Sequence, residues 1–179
     1  HLDGMLEATL PNEIFERTRG TAPVPLADIV NNVNPARFAA VAAEIKAANS
    51  WQVPTILVWE NLFSQAETPE QMGTREELKY VSAQARANYI TQKGNLIQGQ
   101  RNNGVTAELA AKYTDLRRRA LKALVDADAP LLMGTDSPQL FMVPGFALHR
   151  ELAIIALLGV SPFRLYDSGS KNVARYVGG

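Results

Sequence analysis

The chain has 179 residues, with 18 Lys and Arg against 18 Asp and Glu for a formal net charge of zero, and 46% of it is hydrophobic. That length and apolar content suffice for one domain with a real core, and the balanced charge leaves no electrostatic footprint for nucleic acid or anionic lipid. With no cysteine and two histidines, disulfides and thiolate metal sites are excluded, so imidazole and carboxylate would have to hold any metal.

No uninterrupted apolar run is long enough to span a membrane, and no signal-peptide pattern opens the sequence; no compartment is assigned. Leu2, Met5, Leu6 and Leu10 are spaced as a short helical face that should end at Pro11. From Pro11 to Val33 the chain is interrupted by Gly20, Pro23 and Pro25, and it reads as an excursion on the functional face with a brief helix over 12–17. Asn34-Pro35 is a strong helix start, because Asn can cap the free amides and Pro at the first position loses no bond. Phe38, Val41, Ile45 and Ala48 then share one face, with a stop near Asn49-Ser50.

Val53-Pro54-Thr55-Ile56-Leu57-Val58-Trp59 is an apolar, β-rich run without alternation, expected of a strand covered on both faces. Glu60 and Asn61 follow at its end. Thr74 and Glu77 have the spacing of a capping box, opening a helix with a Leu78, Val81, Ala85 stripe that should end or bend toward Asn102-Asn103-Gly104. Thr106 opens another helix, with Leu109, Tyr113, Leu116, Ala120 and Leu124 at helical spacing. Its Arg117-Arg118-Arg119 cluster spreads around the helix and reads as a solvated face. Pro130 to Ser137 is a second buried strand, delivering Asp136 to its C-terminal tip, where α/β folds keep their chemistry. A further helix carries Leu148, Leu152, Ile155 and Leu158 with Gly159 as its C-terminal cap, and Ser161-Pro162 and Val173 to Gly178 begin two short ones.

Three stretches, in this order, resemble the metal-dependent amidohydrolase superfamily, in its Xaa-Pro dipeptidase-like and imidazolonepropionase-like branch. These are His1-Leu2-Asp3-Gly4-Met5-Leu6-Glu7, Pro54 to Phe63, and Leu131 to Leu152 with its Gly134-Thr135-Asp136-Ser137 and Leu148-His149-Arg150-Glu151-Leu152 segments. Ser170 to Gly178 agrees fairly as well. The resemblance implies an α/β fold, namely the C-terminal portion of a TIM-type (β/α)8 barrel from the end of strand 6 through strand 8 and the following helices. A complete barrel needs about 250 residues, so residues 1–179 are expected to form a single partial domain of an incomplete barrel. The family's His-x-His, its lysine and a further His would lie before His1, and its small β-sandwich beyond Gly179.

The implied activity is metal-dependent hydrolysis of a C–N bond in an amide, a peptide-like substrate or a cyclic amide, with zinc the default metal. In that reading Asp136 is metal ligand and proton shuttle and His1 a metal ligand, with the remaining ligands outside this chain, so residues 1–179 are expected to be a fragment inactive alone. Glu60 and Asn61 would face substrate, as residues after barrel strands do. His149 is given a structural role, and Ser64 and Ser137 lack His and Asp partners for a nucleophilic triad. The bland reading of Asp136 is a turn cap acting through Ser137. The rival function is a non-catalytic or degenerate α/β module acting in association, since exposed strand edges invite self-association or docking of a missing N-terminal part.

Overall fold

A computed structural model of the chain describes residues 2–178. The elements run α1 (Asp3–Glu7), α2 (Asn12–Thr18), α3 (Leu26–Asn32), a 3-10 turn at Pro35–Arg37, α4 (Phe38–Ala47), α5 (Ile56–Phe63) and α6 (Pro69–Met72). After a second 3-10 turn at Glu76–Tyr80 come α7 (Ala83–Asn102), α8 (Ala107–Asp126), α9 (Phe146–Leu157), α10 (Pro162–Gly169) and α11 (Lys171–Val177). The α/β barrel expectation is therefore overturned: the described residues are all-α, 66% helix and 2% strand with no sheet.

The physical reason lies in two segments. Ile56, Leu57, Val58 and Asn61 are all buried, and a short apolar run buried on every side reads alike as strand or helix. Here residues 56–63 coil into α5. What survives of the expected strand pairing is a single parallel bridge between Gln52 and Leu131, in which Gln52 N donates to Pro130 O (3.0 Å) and Leu132 N to Gln52 O (2.9 Å). The two chains run so close that a Cβ on Gly134 would sit 2.6 Å from Val53 Cγ1, which is why glycine stands there.

Side-chain caps begin the helices that the sequence announces. Asn34 accepts from Ala36 N, Thr106 from Leu109 N and Ser161 from Arg164 N ahead of Pro162. Gly159, at φ +89, turns the chain left-handed just past α9, a conformation that costs glycine little. The capping box falls elsewhere than expected, on Thr68 and Gln71, while α7 starts at Ser82.

Helix α8 is the axis of the main core. Tyr113, Leu116, Ala120, Leu121, Leu124 and Val125 are buried on it, against Leu2, Met5 and Leu6 near α1, Phe38, Val41 and Ala42 of α4, and Ile56 of α5. Ala110 and Ala120, with no exposed surface, let neighbouring backbones approach. A satellite cluster gathers Met72, Leu78, Leu140, Phe141 and Val143.

The arginine cluster is not uniformly solvated. Arg117 is 1% exposed, its guanidinium 4.1 Å over the Trp59 ring, and its Nη1 donates to Asp3 Oδ1 (2.6 Å) and the Tyr113 hydroxyl (2.9 Å). Its Nε and Nη2, with Trp59 Nε1, are buried without a partner among the described residues, and each such group costs about 1–3 kcal/mol. Asp3 is partly exposed, so losing Arg117 strands no buried charge. Arg117→Met should therefore leave stability within about 1 kcal/mol of wild type, whereas Arg117→Ala should cost about 2–4 kcal/mol through the cavity. Urea unfolding of both variants measures this, and a Met variant as damaged as the Ala variant would refute it.

Candidate functional site

His1 lies outside the described residues. Asp136 is exposed, held at φ +60 in a loop that continues through the cis Ser137-Pro138 bond. Local bonding in the turn comes from Thr135, whose hydroxyl accepts from Ser137 N (3.3 Å) and bonds the Ser137 hydroxyl (3.2 Å). Asp136 is left to accept from the neutral Gln139 amide at 2.9 Å. The carboxylate thus projects from the end of the segment that bridges to Gln52.

Glu60 and Asn61 share α5 but divide their work. Glu60 lines a cleft of ≈ 690 Å³ and accepts from Arg118 Nε at 2.5 Å, a bond that raises the Arg118 pKa. Asn61 also lines this cleft but is 3% exposed. Its amide donates to Leu140 O (2.9 Å) and accepts from Arg75 Nη1 (3.1 Å), so it ties α5 to two loops. His149 is exposed on α9.

Two buried charges that sequence reasoning passed over fix α5 from both ends. At its N-terminus Glu151 of α9, with no exposed surface, accepts from Ile56 N and Leu57 N, each at 2.8 Å. At its C-terminus Lys93 of α7, equally enclosed, donates to Asn61 O (2.7 Å), Leu62 O (3.2 Å) and Ser64 O (2.7 Å). A carboxylate on the free amides and an ammonium on the free carbonyls both complement the helix dipole. One signal for Glu151 was present: Ala147 and Ile155 bury the same face of α9, so a Glu four residues from each, inside an apolar stripe, needed a partner.

Burial pushes Glu151 up to about 7, against its bonds from Leu57 and Ile56 and with help from the nearby Glu60 charge. Burial likewise pulls Lys93 down to about 8, Arg75 adding to the effect and Glu67 opposing it. Burial also works against the charged form of Glu77, but Arg150 and Arg75 outweigh it and leave that carboxyl below its usual value.

Among the described residues no group of three or more His, Cys, Asp or Glu side chains forms a metal-holding cluster, so zinc does not fit these residues on their own. Among the described residues no helix is long and apolar enough to cross a membrane. No family model, curated protein or solved structure matches the chain.

The buried pair gives stability a distinctive pH dependence. Folded Glu151 holds a proton that the unfolded chain releases between about pH 4.5 and 7, so its contribution falls as pH rises through that window, by up to about 3 kcal/mol. Lys93 acts in the opposite sense, adding stability as pH rises from about 8 toward 10.5. Chemical denaturation across pH 4.5 to 7 should show the decline in wild type and a flatter profile in Glu151→Gln; equal slopes would contradict the assignment.

Proposed function

We propose that the chain belongs to a hydrolase acting on C–N bonds in amide or peptide-like substrates, with Asp136 as the carboxylate that takes the proton from attacking water. Supporting this reading are the ordered sequence segments at His1 to Glu7, Pro54 to Phe63 and Leu131 to Leu152. The single geometric observation that carries it is the exposed Asp136 carboxylate, engaged by a neutral amide rather than by a cation. A general base needs both accessibility and the ionised form. A divalent metal in this reading takes its other ligands from beyond the described residues. Function resides in sites rather than folds, so an all-α arrangement does not conflict with this chemistry.

Amide hydrolysis by the purified protein, assayed on N-acyl amino acids and dipeptides with zinc supplied, tests the proposal. Asp136→Asn should lower kcat/KM by about 10²–10⁴-fold with unchanged circular dichroism, because the residue is exposed. Full activity in that variant would overturn it.

A second reading, a non-catalytic module that works by association, is favoured by a separate observation. Leu157 (87% exposed), Phe163 (72%), Tyr166 (72%) and Val177 (73%) stand on α9, α10 and α11, which pack consecutively on one another. Exposed apolar side chains on neighbouring helices are what such a module would use for association. Light scattering should then show wild type as an oligomer and the Leu157→Ser, Phe163→Ser variant as a smaller species; a monomeric wild type would discard this reading.

A further inference from the structure

Two arginines line the cleft beside α5 with one edge committed and the other open. Arg118 of α8 reaches Glu60 through Nε at 2.5 Å, and Arg150 of α9 reaches Glu77 Oε1 through Nε at 2.6 Å. The carboxylates behind them are withdrawn from solvent, with side chains 18% and 6% exposed, while the arginine side chains are 49% and 41% exposed. Arg118 is therefore held on its Nε edge by a hydrogen bond, whereas Arg150 is held beside Glu77 by ion pairing without a well-directed hydrogen bond. The terminal Nη nitrogens of both have no hydrogen-bond partner among the described residues. A third arginine on the wall, Arg75, is spent: its Nη1 donates to Asn61 and its Nη2 to Glu67.

A guanidinium fork pairs with two oxygens of a carboxylate through parallel N–H bonds, and the gain is larger when the fork is already oriented. The same cleft is also lined by the apolar Ala111, Ala153 and Ile154, with the exposed Leu157 at its edge, and its ≈ 690 Å³ is the size of small-molecule sites. Asp115 also lines it and opposes a multiply charged anion, which favours one negative charge over two. We propose that this cleft binds a small monocarboxylate with an apolar body, its carboxylate gripped by the free forks of Arg118 and Arg150 and its body laid on the alanine, isoleucine and leucine floor. The site does not involve Asp136 and stands whether or not the chain is a hydrolase.

Titration calorimetry of the whole protein with benzoate, and separately with inorganic phosphate, tests the proposal. Benzoate should bind with a dissociation constant on the order of millimolar, and phosphate more weakly. The double variant Arg118→Lys, Arg150→Lys keeps both charges beside Glu60 and Glu77 but removes the forks, and should weaken benzoate by about tenfold or more. Ala153→Phe fills the space beside the forks while leaving both arginines in place and should abolish binding, which keeps the test decisive if the double variant folds poorly. Benzoate binding unchanged in these variants, phosphate binding as tight as benzoate, or no benzoate binding at tens of millimolar would each overturn the assignment.

Discussion

The structure depends on how helix α5 is held. A short apolar helix has unsatisfied amides at one end and unsatisfied carbonyls at the other, and burying it leaves both sets cut off from water. Glu151 answers the first set and Lys93 the second, so two ionisable groups are buried where the backbone dipole favours their charged forms and burial opposes them. Their shifted proton affinities are the mark of desolvation that this compensation only partly offsets. With α5 fixed, its remaining faces are free for other tasks: Trp59 and Phe63 stack on one another and meet Tyr113, while Glu60 turns toward the cleft.

Arg117 poses the same problem with a different solution. Its charge is spread over an aromatic face and one carboxylate, leaving two of its donors unpaired. Cation–π attraction and the Asp3 bond partly compensate its burial, and the bond joins α1 to the middle of α8 across the sequence. Adjacent Arg118 and Arg119 face the cleft and solvent. Three identical neighbours on one helix thus do three different jobs, decided by which face each occupies.

Local signals were the readable part of the sequence. Asn34, Thr106 and Ser161 start helices because their side chains can cap, and Gly159 ends one because it tolerates positive φ; those preferences act over a few residues and need no tertiary context. The run 53–59 was misread as strand because its apolar residues carry no period, and the groups that cap the helix it enters, Glu151 and Lys93, lie far away in sequence. Leu148 and Leu152 were expected to face the core, but the buried face of α9 is Ala147, Glu151 and Ile155, a shift of one residue toward the charge that caps α5. The two strands expected at 53–59 and 130–137 do not form: one isolated parallel bridge, Gln52 to Leu131, joins the neighbouring segments, and no sheet grows from it. For the candidate site, Asp136 was expected at the tip of a barrel strand and Glu60 just after another; the first stands in a loop and the second within α5. The open forks of Arg118 and Arg150 could not, since only packing reveals which edge of a guanidinium is occupied.

The bonds from Ile56 and Leu57 to Glu151 span 95 and 94 residues, and those from Lys93 back to α5 about thirty. During synthesis, then, α5 emerges long before the helix that must cover its first turn. Its leading amides stay hydrated until α9 arrives, and the element completes only as a late joining of distant pieces. In the native ensemble the same wiring makes α5, α7 and α9 one cooperative unit, so a fluctuation that lifts α9 exposes the start of α5 in the same event.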